Sequence, residues 1–366
     1  MKHIIIIGAG ASGLTAAIEA SKKNKVTLIE KNSICGKKLL ITGNGKCNYF
    51  NEDQNIDHYH SNTKEKIKEI ITKENLKEVL DFIHSLGIIS KIKNGYYYPY
   101  SEEASSMQKL LVEKAKENHV EIINNFEVSK IEKKEKYIIN DTLKADAIVI
   151  ANGSKASTKD WINLIKDLKM EEIKPALTPL IIKENFCKNW AGVRCDAILK
   201  LFINGKFIKE EKGNLQLTDY GISGICTFNL SHLIDLKQKN EIYINFMPFL
   251  KGDPKKIINK KGDIKNILNG FLNHKLVDVI LKEAKSKNLI DLLTNFKVTI
   301  VDTGDFKKAQ TIKGGISLNE INTKTMETIK YKDLYIIGET LDIHGDCGGY
   351  NLTLAFITGI LAGRSI

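Results

Sequence analysis

The chain opens on short apolar runs separated by small-residue and polar stretches. Four isoleucines at 4–7 run directly into glycine, residues 8–22 are dominated by small side chains, and 26–30 is again largely apolar. Strand, helix, strand is the expected reading, a compact βαβ opening that sets the fold class as α/β. The spacing of Ile67, Ile70, Ile71, Val79, Leu80 and Ile83 predicts helices within 63–86, and a further helix is expected over 103–118. Short strands are expected at 121–124, 128–133, 137–139 and 147–150. The last is apolar throughout, as a parallel strand covered on both faces would be.

After Pro175 and Pro179 the texture changes. Residues 198–203 and 206–209 flank Asn204-Gly205, a hairpin signal because both central positions of a type I′ turn need positive φ. Strands at 214–217 and 241–246 follow, and Asp253-Pro254 opens a helical stretch that runs to Asn295. Strand character returns at 297–301, 309–316 and 333–337.

At 366 residues and 42% hydrophobic, the chain is long enough to bury a sizeable core. Its six cysteines contain no C-x-x-C pair, so no metal site or dithiol motif is written here, and a reduced, cytoplasmic protein is expected. The apolar stretch 352–363 falls short of the roughly 20 residues that a membrane span needs, so no membrane partner is expected. A net charge of +11 raises the question of nucleic acid. Against it, only two of the 55 basic residues are arginine, and lysines alternate with glutamates as on solvated helix faces, for instance over 64–77. Aromatics do not cluster with lysines in sequence beyond Tyr96–Tyr100, so nucleic acid is not expected as a partner.

Candidate chemistry begins at Gly8-Ala9-Gly10-Ala11-Ser12-Gly13, a G-x-G-x-x-G run placed between strand and helix. Gly8 suits the tight turn, Gly10 lets backbone N–H groups reach a pyrophosphate, and Gly13 lets the helix pack close to the sheet. The helix N-terminus then faces phosphate charge. Glu30 ends the second strand, where a carboxylate accepts hydrogen bonds from a ribose diol, with Lys31 beside it. The three-glycine loop 35–48 follows. Gly36 and Lys37 or Lys38 are candidates for the pyrophosphate, and Gly43 to Asn48, with Cys47, for the approach to a flavin ring. Cys47 reads as a small buried hydrophobe before it reads as a reactive thiol.

A second piece lies near the C-terminus. An apolar strand runs into Gly338-Glu339, Asp342 follows, and both acids suit a sugar or ribityl chain. Gly349-Tyr350-Asn351-Leu352 then opens another helix, whose N-terminus suits a flavin's N1 and C2 carbonyl. The ends of the strands at Ala151-Asn152-Gly153 and near Val128 complete the expected cofactor contacts.

With these motifs in view, the chain resembles bacterial NAD(P)/FAD-dependent oxidoreductases of the aminoacetone-oxidase-like and dehydro bile acid reductase-like kind. The resemblance rests on GAGASGL, GKKLLITGNGKCN, Tyr98-Pro99-Tyr100-Ser101, Pro175 to Leu180, Gly314-Gly315, GETLD and CGGYNLTLAFITGILAG. It implies FAD as cofactor and a Rossmann-like FAD-binding domain at 1–183 and 309–366. A β-barrel-like domain at 184–250 and 296–308 interrupts it, with a small helical domain at 251–295. Three departures stand out: Ser154-Lys155-Ala156-Ser157 in place of a longer glycine-rich stretch, Asp219 where a histidine is common, and His344 where an acid is more usual.

The expected activity is that of an NAD(P)H-dependent reductase passing hydride through flavin N5 to an electron-poor double bond of a small-molecule substrate. No second G-x-G-x-x-G is present, so NADH or NADPH is expected to dock transiently. An amine oxidase producing peroxide and an FAD-dependent RNA-modifying enzyme are the alternatives. A proton donor is required. Tyr98, Tyr350 and His344 qualify by residue type alone, and no catalytic residue is assigned.

Overall fold

The computed structural model describes residues 1–153, 165, 167–259 and 262–366. They form two compact units, Met1–Lys174 with Ile312–Ile366, and Pro175–Thr311.

In the first unit, five parallel strands lie in the order Leu334–Ile336, Ala147–Ile150, His3–Ile7, Lys25–Ile29, Glu121–Ile123. The central strand keeps Ile4, Ile5 and Ile6 fully buried, which is why it tolerates no polar residue. Helix Ala11–Ala20 packs along the C-terminal helix Tyr350–Ser365 almost backbone to backbone. A Cβ on Gly359 would lie 2.6 Å from the Ser12 carbonyl oxygen, and one on Gly363 would lie 2.6 Å from that of Ala16. Small residues on both helices make that approach possible, since interaxial distance follows the side chains at the contact. The helices expected within 63–86 are Lys64–Ile70 and Lys73–Ser85, divided where Thr72 caps the second by accepting from the Asn75 N–H at 3.2 Å. Val128 is buried in irregular chain; the strand there is only Ile131–Lys133, in a small antiparallel sheet.

The second unit is built on a closed six-stranded barrel, in the order Leu180–Ile182, Gly221–Ser223, Lys206–Leu217, Arg194–Ile203, Asn240–Asn245, Phe296–Thr303. Asn204 and Gly205 adopt φ of 48° and 77°, as a type I′ turn requires. The hairpin they join is longer than expected and absorbs the separate strand anticipated at 214–217. Leu180–Ile182 closes the barrel instead of belonging to the Rossmann-like domain, so the expected boundaries at 183 and 309 move to 174 and 312. The helices between 251 and 295 do not stand apart as a third body. Leu276, Val277, Ile280, Leu292 and Leu293 share one hydrophobic core with barrel residues Leu199, Leu201 and Ile242. Four short helices could not bury their apolar faces alone. Among the described residues, no helix is long and apolar enough to cross a membrane.

Candidate cofactor site

Helix Ala11–Ala20 begins at Gly10 with no side-chain cap and no acidic residue in its first turn, so its leading N–H groups and positive dipole end are left to a ligand. The three glycines differ in what surrounds them. Gly8 has φ of 105°, and a Cβ there would meet the Ala151 carbonyl oxygen at 2.5 Å. One on Gly13 would meet the Gly8 oxygen at 1.9 Å, whereas one on Gly10 would meet nothing within 4 Å. Gly8 and Gly13 are therefore required by strand and helix packing. Gly10 opens onto free space.

Glu30 is 8% exposed, and its carboxylate accepts from the Ala9 N–H and the Asn32 N–H, each at 2.9 Å. It thus anchors the glycine turn from below. The loop after it is tied back where Gly36 donates to the Ala9 oxygen at 2.7 Å, and Gln108 donates to the Cys35 oxygen at 2.9 Å. Gly43, Asn44, Gly45 and Cys47 all take positive φ, so the loop turns tightly upon itself. Cys47 is fully buried and its thiol is pushed up to about 12 by burial, which makes it an inert packing residue. Lys31 and Lys37 are exposed. Lys38 does not stand ready for a pyrophosphate: it donates to both carboxylate oxygens of Glu339 at 2.6 Å.

That pair brings the two ends of the chain together. A Cβ on Gly338, whose φ is 64°, would meet Ser12 Oγ at 2.6 Å, and one on Gly153 would meet Glu339 Oε2 at 3.5 Å. The first helix turn, the end of the 147–150 strand and the Gly338-Glu339 turn thus converge. Other expected residues are engaged within the protein. Asp342, 2% exposed, accepts from the Asn62 N–H at 2.9 Å and Ser61 Oγ at 3.1 Å, and burial holds its carboxyl above the usual range. Asn351 clasps Gly345, donating to its oxygen at 2.8 Å and accepting from its N–H at 2.9 Å. Gly349, at φ of 99°, leads the C-terminal helix without a side-chain cap. Leu352 lies half-buried in the first turn of that helix. Residues 154–157 lie outside the described ones.

Three buried oxygens close to these elements have no partner among the described residues: Asn48 Oδ1, Asn152 Oδ1 and Thr340 Oγ1. An unpaired buried polar group costs about 1–3 kcal/mol, so oxygens of this kind mark where a polar ligand completes the site. Thr340 escaped the sequence reading because a threonine inside a turn carries no distinguishing pattern.

The proposed proton donors fare differently. Tyr350 is 3% exposed, stacked on His58 with centroids 4.6 Å apart, and edge-on to Tyr59 at 5.5 Å. Tyr98 is half-buried, with its hydroxyl pushed up by burial. His344 is 4% exposed, and burial, helped by His60 and Lys313, depresses its pKa to about 3, so near neutral pH it is the neutral imidazole and not the acidic imidazolium. A folded value below the unfolded one means that the unfolded state binds the proton first. Stability from this residue is intact above about pH 6.5 and falls by roughly 1.4 kcal/mol per pH unit as the pH drops from there towards 3. Urea unfolding between pH 6.5 and 4.5 is expected to show that slope, and His344→Asn is expected to remove it. Equal slopes in both proteins would refute the assignment.

A parallel sheet in this order, a glycine-opened helix lacking a cap and an acid at the end of the second strand define a dinucleotide-binding protein of the Rossmann type. Residues 2–365 match the family described as HI0933-like protein Rossmann domain, and the chain belongs to it. It is an FAD-dependent oxidoreductase. Across its full length it is 32% identical, over 404 aligned positions, to a 3-dehydro-bile acid delta(4,6)-reductase of Clostridium scindens, covering 99% of that protein. It is also 25% identical to a ribosomal RNA dihydrouridine synthase of Haemophilus influenzae, with 99% of this chain and 98% of that protein aligned. The corresponding Escherichia coli enzyme is 26% identical, with 96% and 94% aligned.

Proposed function

We propose that the protein is an NAD(P)H-dependent reductase that saturates a carbon–carbon double bond conjugated to a carbonyl in a small molecule. The observation that carries this reading is the end-to-end similarity, at 32% identity, to a reductase of delta(4,6) double bonds. Next to a ketone, such a bond is electron-poor at its far carbon and takes a hydride there. FAD, when bound, supplies the carrier that accepts hydride from a nicotinamide and hands it on.

The chain's part is to hold and orient. The N–H groups after Gly10 would face the pyrophosphate, the Glu30 carboxylate would accept from a ribose hydroxyl while it anchors Ala9, and Asn48, Asn152 and Thr340 would supply polar atoms. The uncapped turn after Gly349 would offer a partial positive charge to the flavin end. One parallel sheet of the Rossmann kind is present among the described residues, which suits a nicotinamide that visits rather than resides.

A specific observation favours a second reading, with a uracil in RNA as acceptor. Its 5,6 double bond is likewise conjugated to a carbonyl, and two relatives make dihydrouridine in ribosomal RNA. Clustering of aromatics with lysines is not evident in the sequence beyond Tyr96–Tyr100, but strand pairing in the barrel brings Phe202 within 5.6 Å of Phe207 and 5.1 Å of Tyr243, centroid to centroid. Lys297 lies 5.9 Å from the Tyr243 ring, and Lys200 pairs in register with Tyr243. Phe207 is exposed and Phe202 and Tyr243 are half-buried, and accessible aromatic faces among lysines are what bases stack on.

Anaerobic mixing with NADH and then NADPH is expected to bleach the flavin. A conjugated enone is then expected to restore its colour without peroxide. Recovery of colour only on admitting oxygen, with peroxide formed, would establish the oxidase instead. Recovery with an unmodified ribosomal RNA transcript but not with enones would establish the second reading.

A further inference from the structure

One cluster in the first unit is absent from the site described so far. His58 ends the short turn Ile56–His58, and Tyr59–His60 follows directly as one strand of a short antiparallel pair with His344–Gly345. Asp346, whose side chain is 2% exposed, takes one histidine on each oxygen: His58 Nδ1 at 3.1 Å on Oδ2 and His60 Nε2 at 2.8 Å on Oδ1. The second nitrogen of His58, Nε2, lies 3.2 Å from Asp53 Oδ2, and the Asp53 side chain is 67% exposed. At the inner end, the His60 ring lies 5.1 Å from that of buried His344. The strand pair is followed within a few residues by Gly349 and the uncapped N-terminus of the C-terminal helix.

We propose that Asp53, His58, Asp346 and His60 form a hydrogen-bonded proton wire that delivers from solvent the proton consumed in double-bond reduction. The proposal rests on the reductase reading above. Saturating the bond forms two C–H bonds and removes one π bond. One carbon receives hydride from the nicotinamide by way of the cofactor, and the other requires a proton that hydride transfer does not bring.

An imidazole bonded at both nitrogens takes a proton on one and releases the proton held on the other, and a carboxyl group in its acid form, bonded on both oxygens, takes one on its bare oxygen and releases the one it holds. His58 and Asp346 are each bonded at both ends, so the line is continuous from its outer carboxylate to His60, and each member resets after a passage. A purely structural role explains less. The strands already pair through their backbones, and the Asp346 N–H donates to the His58 oxygen at 2.9 Å, so two histidines on a buried acid are more than the fold requires.

Charge is graded along the line. The bond to Asp346, with help from Asp53, holds His58 above the ordinary imidazole value despite its burial, while the Asn55 N–H and His58 hold Asp53 below the ordinary carboxylate value. His344, with Lys313 and His60 facing it, stays neutral and does not trap the proton. The Tyr350 ring covers one face of His58. These residues act on the reacting carbon through others and are positioning residues.

The test uses the FAD-loaded protein and its His58→Gln and His60→Gln variants, both at positions that are not fully buried. In stopped flow, flavin reduction by the nicotinamide is expected to keep its rate, while transfer to the enone slows at least ~10-fold. Added imidazole is expected to restore that step, and its solvent isotope effect is expected to rise. Histidine nitrogen NMR on the same proteins, without substrate, supplies a readout apart from turnover. In the wild type, His58 is expected to titrate above the usual range, and its midpoint is expected to move when His60 is replaced. Independent titration of the two rings, or slowing with neither rescue nor a changed isotope effect, would overturn the wire. A wild type that reduces no enone would overturn the reductase reading while the NMR coupling still decides whether the line exists.

Discussion

Gly13→Ala is expected to yield a protein that purifies without its yellow cofactor. The added methyl would sit 1.9 Å from the Gly8 carbonyl oxygen and 3.2 Å from the Ala151 side chain. The first of these is backbone in the turn between the central strand and the helix, so no side chain can swing away. The helix must move by about 1.5 Å to reach ordinary contact, and its leading N–H groups move with it. Hydrogen bonds and dipole both weaken over that distance, and a loss near 2.7 kcal/mol corresponds to a Kd about 10²-fold higher. Stability is expected to fall as well, because the same helix is wedged against Gly359 and Gly363. Gly10→Ala separates the two effects. A Cβ there meets nothing within 4 Å, and φ at Gly10 is −79°, so the melting temperature should stay while FAD binding weakens. Fluorescence titration of the apoproteins with FAD, together with thermal melts, reads both. Wild-type affinity in Gly10→Ala and Gly13→Ala alike would mean that the cofactor is held elsewhere.

Glu30→Ala is expected to have the second largest effect. Removing the carboxylate strands the N–H groups of Ala9 and Asn32 at a position only 8% exposed, and unpaired buried donors cost about 1–3 kcal/mol. The glycine turn loses its anchor and the ribose loses its acceptor, so FAD affinity and urea midpoint should drop together. Glu30→Gln keeps the shape but turns an NH₂ donor towards one of the two N–H groups. It is expected to restore packing without restoring affinity. If Glu30→Gln binds FAD as the wild type does, the carboxylate serves the fold alone.

Much of this was legible in the residues. Ile4–Ile7, Gly8 and the Asn204-Gly205 turn take the conformations their residues imply because the cause is local: a strand covered on both faces must be apolar, and a turn at positive φ favours glycine or asparagine. The bonds of Lys38 and Asp342 were not legible, since their partners, Glu339 and the Ser61-Asn62 turn, lie 301 and about 280 residues away.

By itself, then, the sequence determined the βαβ opening, the dinucleotide loop and the glycine-opened helix at the far end, all properties of neighbouring residues acting through sterics and hydrogen bonding at short range. Only the tertiary structure decided which distant groups meet. Barrel register set Phe202 beside Phe207 and Tyr243, and the pairing of two two-residue strands put Asp346 between His58 and His60 across separations of 288 and 286 residues. No pattern of apolar and polar positions encodes such meetings. They follow from strand pairing, which brings together residues with no local reason to be neighbours.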